Sequence, residues 1–363
     1  MADGTDFALA EHPGRISAED RAAMLTEPGF GRVFTDHMAS IEYTEGRGWH
    51  SAQIMPRGPL SLDPAAAVLH YAQEIFEGLK AYRTDAGDTV LFRPDANAAR
   101  FRQSAQRLAM PELSDAMFIG AIEALVKADR DWFPPEAEGS LYLRPFMFAS
   151  EAFLGVRPAK EYRFLVLASS VGAYFKGGAK PISIGVSRDL NRAGPGGTGA
   201  AKCGGNYAAS LVAQAEAIKL GCDQVVFLDA VEHRFVEELG GMNTFFVFDD
   251  GSILTPPLDG TILPGITRDS LLTLARDEGI TVREERYSID QWQADAQSGR
   301  LKECFACGTA AVVTQIGKVV DGTTSFTIGD GGDGPVTQRL KSKLVSIQRG
   351  QSNDPHGWLK RLF

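Results

Sequence analysis

Lys202 sits within Gly194–Ser210, read as GPGGTGAAKCGGNYAAS, with no acidic residue within seven positions on either side. A lysine on an exposed loop normally has charged company. One walled by glycine and alanine is set up for a place where an ammonium is costly, so that its pKa falls and the amine becomes nucleophilic. That is what Schiff-base chemistry needs, and small neighbours also let backbone approach a flat ligand closely. Other readings fit the same stretch. GPGGTG has a G-x-G-x-x-G spacing, but the dinucleotide version wants a strand directly before it and a helix opening on the glycines. Here a polar segment with Arg188, Asn191 and Arg192 precedes it. A phosphate loop needs Gly-Lys-Ser/Thr, where the chain has Ala201-Lys202-Cys203. A flexible glycine loop with an incidental lysine is the plain alternative.

Three further segments share this texture. Glu237 and Glu238 stand beside a Gly240-Gly241 bend that opens into the apolar run TFFVF. A carboxylate there can pair with a cationic ring nitrogen, or the two can be an ordinary surface pair. Leu263-Pro264-Gly265-Ile266-Thr267-Arg268 is a turn running into a helix, whose first N–H groups and dipole suit a phosphate. It can equally be a capped helix and nothing more. Cys307-Gly308-Thr309-Ala310-Ala311 is a small-residue turn whose Thr309 hydroxyl can meet an anion, or simply fill a strand position. Arg100, in RPDANAAR, is a candidate basic anchor. An amine, an acid for a ring nitrogen, N–H donors for a phosphate and a basic anchor together suggest one cofactor, pyridoxal 5′-phosphate.

The elements that must position these groups follow from pattern and punctuation. Residues 1–50 read as mixed and polar. Val90–Arg93 reads as a short strand closed by Pro94. Residues 97–109 and 114–130 read as helices, the second capped by Ser114 with Phe118, Ile122, Leu125 and Val126 in one stripe. Leu141–Ala149 and Tyr162–Ser169 read as strands, and Val171–Pro181 as a glycine-rich connector. Beyond it come a strand at Ile182–Val186, a helix from about Tyr207 to Leu220 with Leu211, Ala215 and Ile218 as its buried face, and strands at Gln224–Leu228 and Thr244–Phe248. A helix at 267–278, a strand at 280–285, a helix at 288–298, a strand at 310–316 and a helix at 335–348 complete the chain. The expected class is α+β or mixed α/β. The expected division is a small domain over 1–170, a loop over 171–181 and a large domain over 182–363, with the site between the domains.

The bulk composition agrees with a two-domain globular protein: 363 residues, at roughly 100–200 per domain, with 44% hydrophobic and 23% charged residues. The formal charge of −9 argues against general nucleic-acid or anionic-membrane binding. No apolar run approaches the ~20 residues of a membrane span, no secretory leader is visible, and four cysteines do not make a disulfide framework. A cytoplasmic location is the default. No metal site is expected.

In order along the chain, LHYAQEIFEGLKAYR (69–83), FRPDANAARF (92–101), LYLRPF (141–146), VGAYFKGG (171–178), KCGGNYAASL (202–211), EELGGMN (237–243), LPGITR (263–268) and CGTAA (307–311) resemble a class IV, fold type IV, pyridoxal-phosphate aminotransferase. Within that class the sequence is similar to the branched-chain amino acid aminotransferases, over about 250 residues. The resemblance implies that Lys202 is the Schiff-base lysine that also shuttles the proton. It implies that Tyr207 bonds the ring 3′-oxygen, and that Glu238, not Glu237, partners the pyridine nitrogen. Arg100 would hold the phosphate with Gly265, Ile266, Thr267 and Thr309. Tyr71, Gly241 and Ala310 would meet the substrate carboxylate. Phe76, Tyr142, Arg144 and Tyr174 would line the side-chain pocket, Arg144 facing the distal carboxylate of glutamate. Leu154 and Val156 lie on a loop that reaches the partner subunit in the family, implying a homodimer. The implied reaction is amino transfer between leucine, isoleucine or valine and 2-oxoglutarate. A D-amino acid aminotransferase or an aminodeoxychorismate lyase of the same fold is the alternative, and a nucleotide-binding or redox module the rival outside the class. Two positions depart from relatives. The mammalian Cys-x-x-Cys falls here on Ala311 and Thr314, with a different pair at Cys304 and Cys307, read as buried thiols. Gly241 stands where some relatives have threonine.

Overall fold

The computed structural model describes residues 6–135, 139–172 and 180–363. It divides into two compact units. One takes the described residues of 1–174 together with Ala201–Gly204 and Ile347–Phe363, the other the described residues of 175–200 together with Gly205–Ser346. A single cut near 171–181 therefore omits two returns of the chain. The four residues around Lys202 and the C-terminal segment both cluster with the first unit. Most of the expected connector, 173–179, lies outside the described residues.

The first unit is built on a nine-stranded sheet. Its order is Ala8–Leu9, Gly48–Pro56, Val33–Thr44, Glu161–Val171, Ser140–Ala149, Leu79–Arg83, Thr89–Phe92 and Leu359–Arg361, with Glu74–Phe76 also paired to Ser140–Ala149. Every pairing but the first is antiparallel. Helices Pro94–Arg107 and Asp115–Ala128 pack with it. The second opens as its sequence requires: the Ser114 hydroxyl accepts the Met117 N–H at 3.2 Å, and Phe118, Ile122, Leu125 and Val126 are fully buried. Each such apolar side chain contributes roughly 1.5–3 kcal/mol.

Residues 33–56 are a correction. They form two long paired strands, where the sequence reads as mixed and polar, and the polar run Thr35-Asp36-His37 lies inside the first of them. Those side chains are buried, and two of them find side-chain partners: His37 Nδ1 lies 2.6 Å from Asp129 Oδ1, and the Trp132 indole donates to Asp36 Oδ2 at 3.0 Å.

The second unit also holds a nine-stranded sheet. Its order is Val236–Leu239, Gln224–Leu228, Ile182–Ser187, Val312–Asp321, Leu301–Gly308, Asn243–Phe248, Ile253–Thr255 and Val282–Glu284, with Thr324–Thr327 on the edge of Val312–Asp321. A pairing of Glu238 with Asn243 joins the first of these strands to the sixth, so the path closes on itself at that point. Helices Ile266–Asp277, Ile289–Ser298 and Pro335–Gln348 fall within one residue of expectation. The strand expected at 310–316 begins only at Val312 and is preceded by an unforeseen strand, Leu301–Gly308, leaving Thr309–Ala311 as the turn between them.

The helix after Lys202 runs Gly204–Lys219 and turns its expected face outward. Asn206, Ser210, Ala213 and Ala217 are buried, while Leu211 and Ile218 are 65% and 60% exposed. The reason is close approach. A Cβ added at Gly185, on the strand beneath, would lie 3.1 Å from Ala217 Cβ, so the helix runs close to this strand where the small Ala217 faces it.

Candidate active site

Lys202 belongs to the first unit, where its own backbone makes two hydrogen bonds and that of Gly204 a third. The Phe76 N–H donates to the Lys202 carbonyl at 3.0 Å, the Lys202 N–H donates to Ser104 Oγ at 2.9 Å, and the Gly204 N–H donates to Glu74 Oε1. The flanking Ala201 and Cys203 are buried in the unit's core. The Lys202 ammonium stands 4.8 Å from the centre of the Phe76 ring. Burial lowers its pKa to about 8; the Arg100 charge pushes the same way, Glu77 opposes, and Arg144 adds a smaller push downward.

Arg144 and Tyr142 are brought to the same ring. The Arg144 guanidinium lies 4.8 Å from the Phe76 centroid and 5.4 Å from that of Tyr142, and its Nη2 donates to the Tyr142 hydroxyl at 2.9 Å. Arg144 Nε is buried without a hydrogen-bond partner among the described residues. Arg100 is buried on the helix Pro94–Arg107. Its Nε and Nη2 donate to the two oxygens of Glu77 at 2.7 and 2.8 Å, and Asn97 donates to the same carboxylate at 2.7 Å. Tyr71 and Leu154 form a second, exposed group, with the Tyr71 hydroxyl donating to the Leu154 carbonyl. Val156 nearby is 89% exposed. Tyr174 lies outside the described residues.

The second unit holds the remaining groups. Glu238 lies on the buried strand Val236–Leu239. Its Oε1 faces Arg192 Nη1 at 2.9 Å and accepts the Leu263 N–H at 2.9 Å. Asn243 donates to Oε2 at 3.4 Å. Its neighbour Glu237 is raised to about 7, first by burial and then by the like charges of Asp259, Glu238 and Asp229, with the Thr261 hydroxyl opposing. The structure thus gives the two adjacent carboxyls different surroundings. One faces a buried guanidinium, the other faces carboxylates.

Gly265 precedes the helix Ile266–Asp277 in an extended conformation and offers no side-chain cap, so the first turn carries N–H groups at Ile266 and Thr267 that no capping side chain takes. A Cβ at Gly265 would overlap Asn243 Oδ1; only glycine brings this helix start to the residue paired with Glu238. Arg268, in the same motif, is structural: it donates to the Pro256 carbonyl and to Glu284, each at 2.9 Å. Thr309 and Ala310 sit in the turn before Val312, a β-branched residue at φ 61°, which marks local strain beside them. A Cβ at Gly241 would make ordinary contact, 3.7 Å, with Tyr207 Cε1. Cys304 and Cys307 are buried free thiols, pushed well up by burial, which suppresses thiolate chemistry.

Sequence reasoning missed Glu77, Glu74, Ser104 and Arg192. Among the described residues no His, Cys, Asp or Glu cluster suits a metal ion, and no helix is long and apolar enough to cross a membrane. Within the first unit a low-pKa amine and a buried arginine suit an aldehyde and a phosphate, and within the second a carboxylate held against a guanidinium and an uncapped helix start suit a ring nitrogen and a phosphate, the groups of pyridoxal 5′-phosphate.

Known proteins share both the sequence and the fold. The family model "Amino-transferase class IV" matches residues 74–319. The chain is 60% identical over 367 residues to a branched-chain-amino-acid aminotransferase of Mycobacterium tuberculosis (strain CDC 1551 / Oshkosh), covering 100% of both chains. It is 55% identical over 361 residues to the branched-chain-amino-acid aminotransferase of Mycolicibacterium smegmatis, covering 98% of both. Its structure is similar to the branched-chain amino acid aminotransferase of Escherichia coli, at a TM-score of 0.73 and 30% identity over 90% of this chain and 100% of the other. Match, coverage and site chemistry agree, and the chain belongs to the class IV amino-transferase family, among its branched-chain-amino-acid aminotransferases.

Proposed function

We propose that this chain binds pyridoxal 5′-phosphate and moves the amino group of leucine, isoleucine or valine to 2-oxoglutarate. The observation that carries the reading is Lys202: an amine whose pKa is brought to about 8, with both its backbone N–H and its carbonyl hydrogen-bonded. When bound, the cofactor supplies the aldehyde that takes up the amino group and the ring that draws electron density from the substrate Cα. Lys202 supplies the amine for that aldehyde and then holds and returns a proton at Nζ, a task suited by a pKa near the working pH. Arg100, the N–H groups of Ile266 and Thr267, and Gly265 and Thr309 hold the phosphate. Tyr207 bonds the ring hydroxyl oxygen and Glu238 faces the ring nitrogen.

Phe76 and Tyr142 form the wall for an aliphatic side chain, and Tyr71, Gly241 and Ala310 meet the carboxylate. Arg144, stacked on Phe76 and Tyr142, takes the distal carboxylate of glutamate in the other half-reaction. That lets one pocket serve both an apolar and an acidic substrate. We read the assembly as a homodimer whose exposed Leu154 and Val156 reach the partner's site. The outward face of the helix Gly204–Lys219, with Leu211, Val212 and Ile218 exposed, supports burial against another surface. Free buried cysteines fit a reducing compartment, and we place the chain in the cytoplasm.

The test is the absorbance of the purified protein between about 300 and 500 nm, before and after L-leucine. A visible band that falls on adding leucine supports the reading, and its loss in Lys202→Ala places the bond on that amine. A band that ignores leucine but answers to a D-amino acid overturns the substrate assignment. No band after added pyridoxal phosphate overturns the whole.

A further inference from the structure

Arg192 lies in the polar segment before the glycine run, and the sequence gives it no role. In the structure it is 4% exposed. Its Nη1 faces Glu238 Oε1 at 2.9 Å and donates to the Thr261 carbonyl at 3.2 Å, and both Nη1 and Nη2 reach the Gly199 carbonyl at 3.5 Å. Gly199 is required for this. A Cβ there would overlap the backbone of Thr261, so only glycine brings the two carbonyls together around one guanidinium. Gly199, the last glycine of the run before the lysine, thus serves the packing of Arg192.

A buried ion pair is weak evidence for stability, because apolar residues of equal volume often serve as well. Its use here must lie elsewhere. Oε1 of Glu238 is held by two groups at 2.9 Å, Arg192 and the Leu263 N–H, while the Asn243 contact to Oε2 is longer, 3.4 Å. Arg192 is thus one of the groups that hold this carboxylate, at Oε1. Glu238 is 2% exposed, and a carboxyl so enclosed, deprived of its cation, takes up a proton.

We propose that Arg192 is a positioning residue for the cofactor ring: it fixes Oε1 of Glu238 and keeps the carboxylate anionic, so that the proton shared with the ring nitrogen stays on nitrogen. This rests on the reading of Glu238 as that nitrogen's partner. Were Glu238 a neutral acid, its O–H would donate a hydrogen bond to an unprotonated ring nitrogen, and the proton would stay on oxygen. The ring would then draw electron density less strongly from the substrate.

The test uses full-length enzyme reconstituted with pyridoxal phosphate labelled with nitrogen-15 in the ring, observed by NMR for wild type, Arg192→Lys and Arg192→Gln. Wild type is expected at the protonated shift. Arg192→Gln is expected at the unprotonated shift, with cofactor affinity weakened about tenfold or more, and Arg192→Lys between the two. Should Arg192→Gln not fold, Arg192→Lys carries the same test. A wild-type ring-nitrogen shift in the folded variants overturns the proposal, even if their melting temperatures fall. Glu238→Gln separates the two readings. If it leaves the shift unchanged, the assignment of Glu238 itself fails. If it moves the shift while the Arg192 variants do not, only the role of Arg192 fails.

Discussion

Glu77, wholly buried, holds the guanidinium of Arg100 through both carboxylate oxygens, at 2.7 and 2.8 Å. The pair sets Arg100 in one orientation and also tempers the field at Lys202, where Arg100 lowers the pKa and Glu77 raises it. Glu77→Gln should therefore lower the Lys202 pKa further and weaken cofactor binding. Because it leaves a buried charge uncompensated, it should also cost about 3–5 kcal/mol of stability. The pH dependence of Lys202 labelling in cofactor-free protein, read by mass spectrometry, checks the first effect. A rise in that pKa would contradict the arrangement.

Arg144→Met keeps the apolar stem between Phe76 and Tyr142 and removes the charge. We expect kcat/KM for 2-oxoglutarate to fall roughly 100-fold and that for leucine by about tenfold or less. Steady-state kinetics with each substrate varied in turn decide it. Equal losses for both would assign Arg144 to the architecture of the pocket and remove its part in choosing substrate.

Glu237 gives a pH dependence of fixed sign. Its folded pKa of about 7 lies above the unfolded value of 4.5, so the folded chain keeps the proton longer. Stability should fall as pH rises from about 4.5 through 7. Glu237→Gln should flatten that slope and gain relative to wild type above pH 7. Urea melts at several pH values test this, and a slope unchanged by the substitution would refute it.

Leu211→Glu with Ile218→Glu places two charges on the outward face of the helix Gly204–Lys219. Both positions are exposed, so the fold should persist with circular dichroism unchanged, while light scattering reports a monomer. A dimer that survives the double substitution moves the interface elsewhere.

The helices at 266–277, 289–298 and 335–348 and the paired strands at 140–149 and 161–171 were legible because local patterning specified them. The segments around Lys202, Glu237-Glu238 and Gly265 stood out because small residues or tight turns framed them, while the choice of Glu238 over Glu237 came from the family resemblance. Arg192 and Glu77 did not stand out. Their partners, Glu238 and Arg100, are distant in sequence, and arginine and glutamate are found mostly at surfaces, so composition gives no hint that either is enclosed. The helix after Lys202 misled for the opposite reason. Its larger apolar residues suggested a core face, but the helix runs close to the strand at Gly185, where the small Ala217 faces it.

The two returns of the chain to the first unit bear on synthesis. Strand Leu359–Arg361 pairs with Thr89–Phe92, so the sheet that carries Phe76 and Arg144 receives its last edge from a segment translated long after the rest of it. Until then Val90, Leu91 and Phe92 present an open edge in a nascent polypeptide, the kind of edge that recruits neighbours into aggregates. The unit that bears the lysine cannot be completed until that segment emerges, and a fragment ending near residue 172 would lack both the lysine and the closing strand. Tags, fusions or truncations near Leu359 thus act on a sheet whose other strands lie before residue 172.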